Sequence, residues 1–345
     1  MSRVTVSRVL NDHDNVTEEV RRRVLKAAAE LGYHTARSRA QLRRKEADES
    51  GALKDMGFFY HSLILPESVT SNPFWSTILH GAEQEAGKSN VTVIYRSISS
   101  LVSSPGALLA SMKQMKLGGI LLVGSAEAET VRVIQQAGIP LILVDIFFPT
   151  LDVDAVIIDN MEGIRLAMHH LFERGHRQIA YIGGPVIFTR APFPQTTSSI
   201  YSLERRLACY FTSLLEAEIP LNFDLVETGE LGVDGGYIGA RNLLQRDAPF
   251  TAIVCANDQT AVGAMKAVQE HGLRVPEDIS IVGFDDIETA RLITPALTTV
   301  QVNKEAMGAV AVRALISRVQ DPDSAIVTSM LKVKLIERGS VASRA

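Results

Sequence analysis

TAIVCANDQTAVGAMKAVQEHGLRVPEDISIVGFDD (251–286) sets two apolar strand-like runs around one helical segment, and each run ends on polar residues. TAIVCAN (251–257) reads as a buried strand, DQTAVGAMKAVQEHG (258–272) as an amphipathic helix, and ISIVGF (279–284) as a second buried strand. A strand, a crossover helix and another strand, both strands apolar throughout, make the unit of a parallel sheet. The alternation extends upstream to Met56. Strand-like runs fall at 56–65, 90–96, 118–124, 139–146, 155–159 and 178–184, and helical segments at 76–88, 129–138, 163–175 and 235–246. The pattern predicts an α/β fold with helices on both faces of parallel sheets. About 290 residues of it exceed one doubly wound unit, so two similar lobes are expected.

Ligands of open α/β sheets bind beyond the carboxyl ends of the strands. Those ends are repeatedly polar here: Asp145, Asp159–Asn160, Asn257–Asp258 and Asp285–Asp286. Any one of them could cap the following helix, the role expected of Asn160 and Asp258. Four in one chain point to a shared cleft.

Composition agrees with a folded, aliphatic-cored protein. With 46% hydrophobic and 21% charged residues, the 345-residue chain is neither disordered, collagen-like nor coiled coil, and it is long enough for two or three domains. The net charge of -4 hides a split. Residues 1–45 hold eleven Lys/Arg against five Asp/Glu, whereas the remainder holds 24 against 34. A basic head on an acidic body suggests that the two parts do different jobs. In the head, TVSRVL (5–10) reads as a short helix closed by the Asn11–Asp14 turn cluster. TEEVRRRVLKAAAEL (17–31) reads as a second helix, with Thr17 as N-cap and Gly32 after its end. Residues 36–55 are polar and read as a linker.

Other classes receive little support. The two cysteines, Cys209 and Cys255, sit in apolar runs and read as core thiols of a reducing compartment. There is no signal-peptide pattern and no apolar stretch near the ~18–20 residues of a membrane span, so a cytoplasmic protein without a membrane partner is expected. GxSxG, P-loop, HExxH and paired-Cys signatures are missing, so no catalytic set, cofactor or metal is expected. His176 reads as a structural residue at a helix-to-strand turn, and the adjacent His169 and His170 do not share a helix face.

The head, TVSRVLN (5–11) with VTEEVRRRVLKAAAELGY (16–33), resembles the helix-turn-helix of the LacI (lactose-repressor) family of transcription regulators. The body resembles the same family nearly end to end, through NPFW (72–75), GGILLVGS (118–125), IDNMEGIRLAMHHLFERGHRQIAYIGGP (158–185), AIVCANDQTAVGAMKAV (252–268), VPEDISIVGFDDIETA (275–290), PALTTVQ (295–301) and IERGS (336–340). The resemblance implies a two-lobed, periplasmic-binding-protein-like sensor of parallel sheets with three crossovers, behind a small, N-terminally truncated α-helical head. It implies a head over 1–35, a hinge helix and linker over 36–55, and an effector and dimerisation domain over 56–345. Lobe one is expected at about 56–158 and 290–321, lobe two at about 160–285 and 324–340, and the crossovers near 157–161, 285–291 and 320–325.

The resemblance also implies roles and partners. Arg3 and Val4 fall at base-reading positions, Thr5, Ser7 and Arg8 at groove and phosphate positions, and Leu42 where the family inserts a leucine wedge into the minor groove. Asp285 and Arg206 resemble the family's main hydroxyl-binding pair, with Asn257 and Asp145 as further contacts and Phe74 and Trp75 at the rim. Trp75, the only tryptophan, also reads as a core filler. The partners implied are a palindromic operator, a small effector that is a sugar or sugar derivative, and a second copy in a homodimer, with a tetramer left open. Several features depart from the pattern. Leu231 stands where the family has a second stacking aromatic, the loop at 186–202 is long, and Thr35–Ala36 replaces the usual Pro-Asn. The scaffold helix that precedes the family's recognition helix has no counterpart. Weak operator binding by the sequence as it stands is therefore expected, with a start upstream of Met1 as the preferred explanation. A cytoplasmic ligand-binding protein that has lost operator binding is the alternative.

Overall fold

The computed structural model describes residues 53–63, 69–185 and 200–344, together with Val20 and Val24. The chain divides into two compact units, Met1–Ala52 and Leu53–Ala345. In the first, Val20 and Val24 are helical and Val24 is buried, in keeping with the apolar stripe of the helix expected at 17–31. The positions implied for DNA contact, Arg3, Val4, Thr5, Ser7, Arg8 and Leu42, lie outside the described residues, as does most of the long loop, 186–199.

The second unit is two lobes, each built on a six-stranded sheet. Lobe one begins with β1 (Asp55–His61), α1 (Pro73–Lys88), β2 (Thr92–Ser97), α2 (Pro105–Met115), β3 (Gly119–Gly124), α3 (Ala128–Gln135), β4 (Leu141–Val144) and β5 (Asp154–Ile158). Lobe two follows with α4 (Asn160–Glu173), β6 (Ile179–Gly183), α5 (Tyr201–Glu216), β7 (Val226–Thr228), α6 (Gly232–Leu244), β8 (Ala252–Cys255), α7 (Asp258–Glu270), β9 (Ser280–Asp285), α8 (Glu288–Leu292) and β10 (Thr298–Gln301). The chain then returns to lobe one for α9 (Lys304–Gln320) and β11 (Thr328–Leu331), and ends in lobe two with β12 (Lys334–Ile336). Strand order is β11-β5-β4-β3-β1-β2 in one sheet and β12-β10-β9-β8-β6-β7 in the other, and only the β10–β12 pair is antiparallel.

Central strands such as β3, β4 and β8 are buried along their whole length, because helices cover both faces, and this is why they read as unbroken apolar runs. All eight strand-like runs in the sequence form strands. Cys209 and Cys255 are buried free thiols.

Two crossovers differ from expectation. β10 pairs with β9 and β12, so residues 290–301 stay in lobe two and the chain leaves it at Val302–Asn303, not at 285–291. β11 pairs in parallel with β5, so lobe one continues to Leu331, and the third crossing falls at Lys332–Val333 instead of 320–325. Backbone pairing decides both: β10, next to the edge of its sheet, and β11, at the edge of the other, are laid down before the chain changes lobe. The caps also shift by one residue. Asp159 accepts from the Glu162 N–H at 3.0 Å, and Asn257 accepts from the Thr260 N–H at 2.8 Å. Asn160 and Asp258, expected as caps, are instead the buried first residues of α4 and α7. The first residue of each polar pair keeps extended or non-helical backbone and can fold its side chain over the opening turn; the second is already helical.

One ion pair secures the return of the chain to lobe one. Arg318 of α9 forks onto Asp154 at 2.7 and 3.0 Å, and Asp154 also accepts the Val327 N–H at 2.7 Å. Asp154 is 6% exposed, so losing its partner strands a buried carboxylate. Arg318→Met is expected to destabilise the protein by about 3 kcal/mol, read as a lower urea midpoint. A midpoint within error of the wild type would show that the pair contributes nothing.

Candidate functional site

Beyond the carboxyl ends of both sheets, the two lobes face one another across a cleft with about 710 Å³ of atom-free space, open solvent included. Lobe one contributes Asn72, Phe74 and Trp75 at the start of α1, Ser125 after β3 and Asp145 after β4. Lobe two contributes Leu203 and Arg206 from α5, Leu231 ahead of α6, Asn257 and Gln259 at the start of α7, and Asp285 and Ile287 around the end of β9. The strand order reverses between β1 and β3 and between β6 and β8, and the cleft opens beside these points, where such sheets leave a crevice.

Backbone conformation sets the two cleft carboxylates. Asp145 has φ 60°, Asp285 φ 111° and Asp286 φ 52°. Residues other than glycine rarely adopt these values, and each costs on the order of 1–3 kcal/mol. The turn after β4 and the end of β9 leave Asp145 and Asp285 on the cleft wall. Asp286 faces Arg338 and Gln301 instead, accepting from them at 2.5 and 2.6 Å.

Arg206 lies between them, 4% exposed. Its Nε donates to Asn160 Oδ1 at 2.8 Å, its Nη1 donates to the Ala256 carbonyl, and the guanidinium lies 3.7 Å from the centroid of the Phe284 ring. Nη1 stands 3.8 Å from Asp285 Oδ1, a charge pair too long for a hydrogen bond. Burial pushes Asp145 up to about 7 and Asp285 to about 6, and Arg206 pulls both back; the charge of Asp285 raises Asp145 further. Asp145 Oδ1 is buried with no hydrogen-bond partner among the described residues. An unmet acceptor of this kind costs about 1–3 kcal/mol, which a ligand hydroxyl or N–H would relieve.

The remaining polar groups are partly committed. Asn257 spends its oxygen on the α7 cap, which leaves its amide N–H groups for a ligand. Asp258 lies behind the wall, accepting from the Ile287 N–H at 2.8 Å and from the Thr299 hydroxyl; burial, then the charge of Asp285, pushes it up to about 8. Trp75 lines the cleft, and it packs edge-on against Phe74 at 4.7 Å and at a tilt to Tyr60 at 5.9 Å.

The structure thus brings Phe74, Trp75, Asp145, Arg206, Asn257 and Asp285 together on one surface. Sequence reasoning missed Asn72, Ser125, Gln259 and Ile287. The first three stand inside stretches already singled out, NPFW, GGILLVGS and CANDQ, and the usable signal was a polar side chain beside a strand end or helix start. His176 is fully buried, with Nδ1 2.8 Å from Thr251 Oγ1 and Nε2 3.0 Å from the Ala342 carbonyl, which is a structural role. Among the described residues no group of three or more His, Cys, Asp or Glu is arranged to hold a metal ion, and no helix is long and apolar enough to cross a membrane.

Residues 1–36 match the family model for bacterial regulatory proteins of the lacI family, and residues 168–341 match that for a periplasmic binding protein-like domain. The HTH-type transcriptional repressor PurR of Edwardsiella ictaluri is 31% identical over 346 residues, spanning 99% of this chain and 94% of PurR. Among solved structures, the complex of the transcriptional regulator CelR with cellobiose is similar at a TM-score of 0.73 and 26% identity, over 99% of this chain and 96% of that one. The lac repressor dimer bound to operator and the anti-inducer ONPF is similar at a TM-score of 0.71 and 26% identity, over the same 99% and 96%. With a family-type head, a two-lobed body and full-length relatives, the chain belongs to the LacI family of bacterial regulatory proteins.

Proposed function

We propose that this chain is an operator-binding transcriptional repressor whose DNA affinity is set by a small effector, a sugar or sugar derivative, held between its lobes. The observation that carries the reading is the convergence of two carboxylates, a guanidinium, an amide and an indole on one interlobe cleft. Vicinal hydroxyls ask for this mixture of acceptors and forked donors, and the apolar face of a sugar ring packs against an aromatic. The full-length likeness to a cellobiose-bound regulator and to an operator-bound repressor dimer supports both halves of the reading.

Because each lobe supplies part of the cleft, a ligand that touches both favours the closed arrangement. If the two arrangements differ in how they present the DNA heads of a homodimer, effector and operator affinities are reciprocally coupled. Arg3 and Val4 then read bases in a palindromic half-site, Thr5, Ser7 and Arg8 support groove and phosphate contacts, and Leu42 wedges the minor groove. The reading gives the chain binding rather than catalysis, and work on operator DNA in the cytoplasm.

Asp285→Ala is expected to abolish the thermal stabilisation that wild-type protein gains from its best ligand in a panel of sugars and purine bases. Loss of a charged acceptor corresponds to roughly 2–3 kcal/mol, or about 50-fold in affinity. Unchanged stabilisation would remove Asp285 from the site.

The pH dependence has a definite sign. Burial raises Asp145 in the folded state to about 7, well above the ordinary carboxylate range, so ligand-free folded protein keeps a proton there that the unfolded chain releases, and the contribution of this group to stability rises as pH falls from 8 to 5. A ligand hydroxyl donated to Asp145 favours the ionised form, so effector affinity should fall over the same range. Asp145→Asn should reduce the stability slope in urea melts at pH 5, 6.5 and 8 while Asp258 and Asp285, also raised, keep part of it, and should flatten the affinity trend in calorimetry; unchanged slopes in both would remove Asp145 as their source.

Operator selection from random palindromes, followed by gel shifts at two salt concentrations, tests the DNA half. Arg3→Ala should relax preference at one base pair per half-site by about 1–3 kcal/mol. Binding with no sequence preference at low salt would leave only the ligand-binding half of the proposal.

A further inference from the structure

The first residue of α9 is a lysine, an unfavourable place for a cation because a helix N-terminus carries partial positive charge. Lys304 follows the Asn303 cap directly, and its ammonium turns back across the second crossover. Nζ donates to the carbonyls of Asp285 at 2.5 Å, Asp286 at 3.0 Å and Val302 at 3.4 Å, which employs all three of its donors. Two of these carbonyls belong to the residues whose φ values of 111° and 52° turn the end of β9. The Asp285 carbonyl also accepts a long bond, 3.4 Å, from the Val302 N–H.

The helix that presents Lys304 is firmly seated. Gly308 of α9 and Gly81 of α1 let the two backbones meet, since a Cβ at either would collide with backbone of the other helix. α1 carries Phe74 and Trp75 in its first turn. A rigid path therefore runs from the aromatic wall of lobe one, through α1 and α9, to the acidic wall of lobe two.

We propose that Lys304 is a positioning residue for the effector: it holds the strained turn that presents the Asp285 carboxylate, and it ties that carboxylate to the lobe bearing the aromatic wall. The binding part of this inference rests on the effector reading of the cleft; the positioning part does not. Charged groups around Asp285 are Arg206 and Lys304, which favour its ionised form, and the carboxyls of Asp145 and Asp258, which interact with it unfavourably.

The test uses the full chain and three substitutions. Lys304→Met removes donors and charge at similar length, Lys304→Arg keeps both, and Lys304→Gln keeps N–H donors without charge, serving also if the Met variant does not fold. In ligand-free protein, the ¹³C carboxyl titration of Asp285 should move up by roughly half a pH unit or more in the Met and Gln variants and return in the Arg variant. Amide exchange at residues 285–287 should quicken about tenfold in the Met variant. Calorimetry with D-ribose and cellobiose should show about tenfold weaker binding of whichever probe the wild type binds, with recovery in the Arg variant. A folded Met or Gln variant with unchanged titration and exchange overturns the proposal. If wild-type protein binds neither probe, the sugar reading of the cleft fails, and titration and exchange still decide the role of Lys304.

Discussion

A guanidinium almost wholly withdrawn from water must be surrounded by acceptors, and the cleft is arranged around that demand. Arg206 meets it by drawing three separate chain segments to one point: Asn160 at the start of α4, the carbonyl of Ala256 after β8, and Phe284 with Asp285 at the end of β9. Asn160 is buried because Arg206 needs its oxygen. Asp285 and Asp145 remain ionisable so deep in the protein because the same charge offsets part of their desolvation. Removing the guanidinium would leave Asp145 and Asp285 facing one another with Lys304 alone offsetting the charge of Asp285.

The cleft is consequently an uncomfortable place when empty. Two carboxyls displaced toward neutral values, an acceptor without a partner and two unfavourable φ values are concentrated in a few residues of each lobe. By contrast, β3 and β4 behind the cleft are apolar, regular and buried along their whole length. Local rules are broken at the site and kept around it, as expected where binding rather than stability has shaped the residues.

Legibility in the sequence followed burial. Central strands covered on both faces left unbroken apolar runs, and the polar residues ending them marked the cleft, so Asp145, Asn257 and Asp285 could be chosen without coordinates. Assigning Arg206 to the same cleft needed the family resemblance, because nothing local distinguishes it from Arg205, its exposed neighbour. The edge strands VET, TSML and KLI are three or four residues long and largely half-exposed, and TTVQ, buried one place in from the edge, has only four residues, so none carries a period to detect. Missing β10 and β11 displaced two crossovers, since chain order does not say which sheet a short strand will join. Asp258 was misread for a related reason: an acid beside a helix start looks like a cap until the Ile287 N–H and the Thr299 hydroxyl are seen to converge on it.

The three passages between the lobes make the halves inseparable as genetic parts. Severing the chain at Asp159 gives one fragment lacking α9 and β11, and another carrying both as surplus; a break at Val302 strands β12 from its sheet. Neither half can be excised, exchanged or inherited as a contiguous cassette. Recombination between relatives should therefore respect the whole body as one unit, while the boundary near Ala52 remains open to the grafting of a different head.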